Sequence, residues 1–155
     1  QEDLLEKFNK KLENKKIEEI ISNANSKKVR KVMDKFYFHH FVKEPRPFHV
    51  DTFNKTVKAF LSFNDFTSTS EGPYSVIPST HRFKLIHKIN FLYNSIFGKN
   101  RWFRPSDSSF WSTKHAIPFI CNCGDLIITR QSAVHGAFPA KKQYKRIMAL
   151  KHYLV

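Results

Sequence analysis

A chain of 155 residues that is 41% apolar and carries sixteen Phe has the material for one domain with a buried core, which excludes a disordered chain. Its formal net charge of +14 favours polyanionic partners (nucleic acid, acidic lipid or phosphorylated substrates), with a generally basic surface as the alternative because much of the Lys is scattered. Two Cys, at 121 and 123, give no disulfide framework and point by default to a reducing cytoplasm, while no apolar run approaches the ~20 residues of a membrane-spanning helix and no signal peptide is visible.

Residues 1–28 are charged, with Leu4, Leu5, Phe8, Leu12, Ile17, Ile20 and Ile21 spaced for one or two amphipathic helices that break near Asn14. The texture changes at Val29. Val32, Phe36, Phe38 and Phe41 alternate with polar residues, as a half-buried strand would. His39 and His40 are consecutive, so they point to opposite faces and cannot chelate one ion as a pair. Pro45-Arg46-Pro47 interrupts the strand, because proline removes ladder donors.

Phe48-His49-Val50-Asp51-Thr52 follows, and it carries the first chemistry. On an extended strand His49 and Asp51 send their side chains to one face, an imidazole beside a hard carboxylate oxygen. One more histidine would complete the 2-His-1-carboxylate facial triad that binds non-haem Fe(II). A turn at Asn54-Lys55 leads to a second alternating strand, Val57, Ala59, Leu61 and Phe63.

Phe66 to Gly72 is a Ser/Thr-rich loop, and Tyr74 to Ile77 a short strand closed by Pro78-Ser79-Thr80-His81. Residues 82–98 read as a helix, with Phe83, Ile86, Ile89, Phe91, Tyr93 and Phe97 on helical spacing and Gly98 as the stop. Lys99 to Lys114 is a long irregular insertion in which Trp102, Phe103, Phe110 and Trp111 could line a substrate lid or pin the loop to the core. Strands are expected again at Ala116–Cys121, Leu126–Thr129 and Ile147–Leu154, with Cys123-Gly124-Asp125 and His135-Gly136 as punctuation. Several short strands with one helical excursion make the fold mainly β, a sandwich or barrel preceded by helices.

His135, beside a glycine that permits close backbone approach, is the candidate third ligand, with a capped surface histidine as the alternative. Arg146 lies eleven residues on, at the start of the last strand. An arginine pointing into a barrel needs a carboxylate partner, and a dicarboxylate cosubstrate would supply one. The alternative is one more cation in the run Lys141, Lys142, Lys145 and Arg146. Cys121 and Cys123 share a strand face and with His115 could suggest zinc, but structural zinc wants four ligands at wider Cys spacing, so two ordinary thiols are the better reading.

Taken in order, His49-x-Asp51, Asn64-Asp65, Gly72-Pro73, Ile77-Pro78-Ser79-Thr80-His81, Gly124-Asp125, His135-Gly136 and Arg146 resemble the phytanoyl-CoA dioxygenase-like family of Fe(II)/2-oxoglutarate-dependent oxygenases, from about Lys35 onward. The resemblance implies a double-stranded β-helix, a cupin-like jelly roll, over 29–155, with 1–28 as an N-terminal helical segment and a helical and loop insertion around 82–114. It implies Fe(II) held by His49, Asp51 and His135, and 2-oxoglutarate held through its distal carboxylate by Arg146. Lys58, Thr129 and Ser132 are further candidates for the cofactor pocket. His81 is read as a structural hydrogen-bonding residue.

The expected activity is O2-dependent hydroxylation of a small-molecule or carrier-linked substrate, since related halogenases lack the carboxylate that Asp51 supplies. Lys99, Arg101 and Arg104 would suit an anionic group on that substrate, with solvated loop charge as the plainer explanation. Family members usually carry a longer region ahead of the H-x-D motif, and only 48 residues precede His49, so early strands are expected to be absent or the chain to be a fragment. Two other functions stay open: a catalytically degenerate binding protein of the same fold, and a basic nucleic-acid-binding or demethylating protein. The nucleic-acid reading is the weaker one, because aromatic and basic residues do not interleave in a recognised pattern.

Overall fold

The computed structural model describes residues 15–41, 43–82, 84–98, 104–141 and 143–155. Two antiparallel sheets face each other. The larger has the order β1-β7-β2-β5, from β1 (Arg30–His40), β2 (Thr56–Ser62), β5 (Leu126–Arg130) and β7 (Lys145–Leu154). The smaller has the order β4-β3-β6, from β3 (Tyr74–Val76), β4 (Ile117–Pro118) and β6 (His135–Ala137). Phe60, Ile127, Met148 and Leu150 of the large sheet pack against Phe66, Tyr74 and Cys121, forming the core between the layers. The ring centroids of Phe60 and Tyr74 stand 4.9 Å apart across it.

The opposite face of the large sheet is closed by α1 (Lys15–Asn25). Ile17 and Ile21, one turn apart, bury against Val57, Ala59, Ala149 and Tyr153. Each isoleucine contributes about 1.5–3 kcal/mol by leaving water. The helix stops where Ser26 turns left-handed (φ 52°) and Lys27 N–H donates back to Ser22 O at 3.1 Å. The apolar positions at Leu4, Leu5, Phe8 and Leu12, and the break near Asn14, lie outside the described residues.

Strand β2 differs from the half-buried strand read from its alternation. Covered by α1 on one side and the small sheet on the other, it buries Val57, Lys58, Ala59 and Phe60 consecutively. In β1 the inward set is also the other one. Register pairs Tyr37 with Met148 and His39 with Arg146, so Tyr37 and His39 face the space between the sheets. Phe36 and Phe38 point the opposite way, and Phe36 meets Phe63 at 5.7 Å. Alternation locates the strand but does not say which half of it the core claims.

His135-Gly136, read as punctuation, is strand β6, and it pairs with β3. Gly136 is where the Phe48 ring comes closest: a Cβ there would stand 2.8 Å from that ring. The close approach expected at this glycine is therefore that of a side chain.

The helix read at 82–98 is α2 (Lys84–Phe97), ended at Gly98, whose N–H donates to Asn94 O. Its orientation is inverted relative to expectation. The buried stripe is His87, Asn90 and Asn94, while Ile86, Ile89, Phe91, Tyr93 and Phe97 are exposed. Polar partners explain the inversion. His87 Nε2–H donates to Thr80 O (2.6 Å), and the Asn90 and Asn94 amides donate to Asp107 O (2.8 and 2.6 Å). Phe83, Lys99, Arg101, Trp102 and Phe103 lie outside the described residues. Among the described residues no helix is long and apolar enough to cross a membrane.

Candidate metal centre

The segment carrying His49 and Asp51 is extended but belongs to no regular strand, in contrast to the expectation. His49 exchanges both backbone hydrogen bonds with His135 of β6 (2.8 and 2.9 Å) and forms a second isolated bridge to Asp107 on its other side. Val50 N–H donates to Ser106 O, and Asp51 N–H to Gln131 O. Neighbours on both sides thus fix the segment without a sheet ladder of its own.

This pairing brings His135 beside the H-x-D motif. Ligating atoms of His49, Asp51 and His135 all lie within 4.8 Å of one another, the one such group of three His, Cys, Asp or Glu among the described residues. His49 Nε2 stands 3.3 Å from Asp51 Oδ1, and His135 Nε2 stands 3.1 Å from Asp51 Oδ2. Each imidazole is oriented from behind: Nδ1–H of His49 donates to Pro47 O (2.8 Å) and Nδ1–H of His135 to Ala133 O (2.9 Å). A carbonyl oxygen only accepts, so both rings carry the Nδ1 proton and in the neutral form present a bare Nε2 lone pair to Asp51.

Electrostatics sharpen this arrangement. Burial pushes His135 down, toward the neutral imidazole, against the opposing pull of Asp51. Burial alone would raise Asp51, but the Lys58 ammonium, and either imidazole when it takes up a second proton, hold it well below the usual carboxylate range. A neutral His135 facing an ionised Asp51 sets a lone pair against an anionic oxygen, and a cation between them resolves that conflict. Nitrogen, nitrogen and carboxylate oxygen on one face form a donor set that suits a first-row divalent metal.

Lys58, on the buried middle of β2, donates to Asp51 Oδ2. Thr129 is its cross-strand neighbour on β5 and is also buried. Arg146 lines a cavity of about 350 Å3 next to the triad, which Tyr37, Phe60, Tyr74 and Met148 also wall. The guanidinium donates from Nη1 to Gly72 O (3.3 Å) and from Nη2 to His39 Nδ1 (2.7 Å), so His39 is an acceptor there. Burial and the charge of Arg146 both push His39 down, which agrees with a neutral ring. The Tyr74 hydroxyl is buried and makes no hydrogen bond of regular geometry.

Other candidates fall outside the cavity. Ser132 lines a separate shallow depression with Lys55, His81 and Arg130. Cys121 is buried in the core and Cys123 is exposed, and neither joins a metal-sized group among the described residues.

Two partners of the site have no signal in the sequence. Arg46, inside the Pro-Arg-Pro break, donates from Nε and Nη2 to Asp107 Oδ1 (3.1 and 2.8 Å) and lines the cavity. Asp107 is fully buried, and its Oδ2 accepts from Arg104 N–H. His39, which sequence alone presents only as half of a His-His pair, holds Arg146. These contacts join residues 61 and 107 positions apart, beyond the reach of any local spacing.

His152, opposite Lys58 on β7, supplies a pH-dependent term. Burial and the charges of Lys58 and Lys35 push it down to about 4, and its Nε2 is buried without a hydrogen-bond partner among the described residues. The unfolded chain, with an ordinary value near 6.5, therefore binds the proton better than the folded one. The contribution of His152 to stability is complete above about pH 6.5 and is lost progressively as pH falls toward about 4. In His152→Gln the fall in melting temperature between those limits is expected to be shallower, as measured by thermal denaturation across pH.

No protein-family model matches the chain, and no curated protein matches it. Solved structures do. AviO1 from Streptomyces viridochromogenes Tue57 is 12% identical with a TM-score of 0.64, over 93% of this chain and 59% of that one. The epimerase SnoN, solved with Fe3+, alpha ketoglutarate and nogalamycin RO, is 13% identical with a TM-score of 0.66, over 89% of this chain and 54% of that one. HygX from Streptomyces hygroscopicus, solved with nickel and 2-oxoglutarate, is 11% identical with a TM-score of 0.55, over 81% and 57%. The chain thus spans a little over half the length of these proteins. At such identities the likeness is one of architecture, and the architecture is the double-stranded β-helix, the cupin-like jelly roll of facing antiparallel sheets.

Proposed function

We propose that the chain is the core of an Fe(II)- and 2-oxoglutarate-dependent oxygenase of the phytanoyl-CoA dioxygenase-like type, acting on a small-molecule or carrier-linked substrate. The observation that carries this reading is the convergence of His49 Nε2, His135 Nε2 and the Asp51 carboxylate, each imidazole locked by a backbone carbonyl at Nδ1. Structural neighbours solved with 2-oxoglutarate and with Fe3+ or nickel support it.

When bound, iron and 2-oxoglutarate would supply an O2-dependent oxidation in which the cosubstrate loses CO2 to become succinate, one oxygen atom going to succinate and the other into a substrate C–H bond. The chain's own residues bind and orient. His49, Asp51 and His135 would hold the metal from one side and leave the other side to the cavity. Arg146 is the counter-charge for the distal carboxylate of the cosubstrate, kept in place by Gly72 O and neutral His39. The buried Tyr74 hydroxyl is a donor on the same wall. Phe60 and Met148 exclude water from it. Lys58 donates to Asp51 Oδ2 and would orient the carboxylate that holds the metal, and Thr129 borders the same end.

The test is an anaerobic titration with Fe(II) and then 2-oxoglutarate, followed by the visible metal-to-ligand charge-transfer absorption. The band is expected in the unaltered protein. In Arg146→Met it should need at least about tenfold more 2-oxoglutarate, as when one charge-assisted pair of about 1.5–3 kcal/mol is removed. A folded protein without the band overturns the proposal. The Lys58–Asp51 pair favours a second reading, a binding protein in which the ammonium has replaced the metal. Binding of 2-oxoglutarate that is indifferent to Fe(II) would select it.

A further inference from the structure

Helix α2 turns its polar stripe inward and its apolar side to solvent. Leu85, Leu92 and Ile96 are 71%, 60% and 64% exposed, with Ile89 beside them on the same outward face. The patch continues sideways through aromatic rings: Phe91 meets Phe53 at 6.4 Å, and Tyr93 meets Phe110 at 5.5 Å. Both Phe53 and Phe110 are themselves exposed. A contiguous apolar face of this kind marks a surface that meets another protein or a membrane.

Charge selects the partner. Between Glu71 and Asp107 the sequence has no acidic residue, while Arg82, Lys84, Lys88, Lys99, Arg101 and Arg104 are all basic. Lys84 and Lys88 stand on the helix itself and are exposed. A second copy of the chain packed on this face would bring Lys84 and Lys88 of both copies together at a net charge of +14 each, which is repulsive. An anionic bilayer answers both features at once, apolar side chains entering the acyl boundary and lysines meeting headgroups.

We propose that α2 is a peripheral docking element that lies on an anionic lipid surface, its outward face of Leu85, Ile89, Leu92 and Ile96 immersed and Lys84 and Lys88 against the headgroups. A helix of 14 residues lies in the interface and does not span it. The hydrogen bonds from Asn90 and Asn94 to Asp107 tie this helix to the segment bridged to His49, so the docked face is rigidly connected to the cavity wall. The inference is independent of the proposed oxygenase activity.

Co-sedimentation of the full chain with vesicles tests it, using phosphatidylcholine alone and phosphatidylcholine with one-third phosphatidylserine, at low and high salt. Binding is expected to the anionic vesicles, weakened by salt. The triple variant Leu85→Gln, Leu92→Gln, Ile96→Gln should lower partitioning by about tenfold or more, because immersed apolar area sets the affinity. Lys84→Glu with Lys88→Glu should lower it too and make the salt response shallower. Circular dichroism confirms folding of each variant, and if one fails to fold the other decides. The proposal is overturned if the unaltered chain ignores anionic vesicles, or if folded variants partition as it does. A chain that dimerises without binding vesicles, and becomes monomeric in the triple variant, also overturns it.

Discussion

Replacing Asp51 with Ala is expected to lower the affinity for Fe(II), and for Co(II) or Ni(II) as spectroscopic stand-ins, by more than about 100-fold, because even an outer partner of a metal ligand is worth 10–100-fold. Calorimetric titration of the metal alone measures this without turnover. Asp51 is the one carboxylate in the group, and both imidazoles and Lys58 converge on it. Its loss would therefore remove a ligand of the proposed centre and also leave the buried Lys58 ammonium with no counter-charge. The variant alone would confuse lost metal binding with lost folding, since an unpaired buried charge costs several kcal/mol. Asp51→Ala combined with Lys58→Met removes both charges. It should recover most of the stability lost in Asp51→Ala and still fail to bind metal. His49→Ala gives an independent measurement, because His49 makes no contact with Lys58 comparable to that of Asp51. If metal binds the double variant as tightly as the unaltered protein, the triad is not the metal centre.

The residues that meet at the candidate centre are legible in the sequence itself, for an identifiable reason. His49 and Asp51 lie two residues apart on extended backbone, a local relation fixed by geometry, and His135 and Arg146 follow in an order that resembles the oxygenase arrangement. The local architecture is legible for the same reason: α1 at Ile17 and Ile21, β1, β3, β5, β7 and the stop of α2 at Gly98 all follow from short-range periodicity and punctuation. Periodicity does not say which side of each element the core will take. The apolar stripe of α2 looks like a buried face, yet His87, Asn90 and Asn94 are the ones buried, because their partners Thr80 and Asp107 offer hydrogen bonds that no periodicity encodes. Alternation in β1 likewise favours Phe36 and Phe38, whereas the register with β7 brings Tyr37 and His39 inward. Long-range pairing decides these cases, as it decides that Arg46 meets Asp107.

The ion pair of Arg46 and Asp107 leads to the second large effect, in a residue that touches no candidate ligand atom. Asp107→Ala is expected to destabilise the fold by about 3 kcal/mol, the lower end for an interrupted buried ion pair, because Arg46 keeps partial access to water at 32% side-chain exposure. For a domain of this size that is a fall in melting temperature of roughly 6–12 °C. Three hydrogen bonds are lost at once, from Nε and Nη2 of Arg46 and from the N–H of Arg104, and of these donors Nη2 keeps Ser106 Oγ. The backbone of residue 107 still accepts from Asn90 and Asn94, so the segment stays attached to α2 and holds Arg46 only through Ser106 Oγ (2.8 Å). That distinction predicts where the damage goes. Asp107 bridges His49 on the side away from His135, and Val50 N–H donates to Ser106 O, so loosening residues 104–108 frees one flank of the H-x-D segment. Metal affinity should fall together with stability. Arg46→Met with Asp107→Leu, which replaces the pair by apolar groups, should recover most of the stability, since the cost lies in the stranded charge. Metal affinity that returns with stability in that double variant assigns the pair a purely mechanical role in holding His49. Affinity that stays low assigns part of the effect to the charge of Arg46 on the cavity wall.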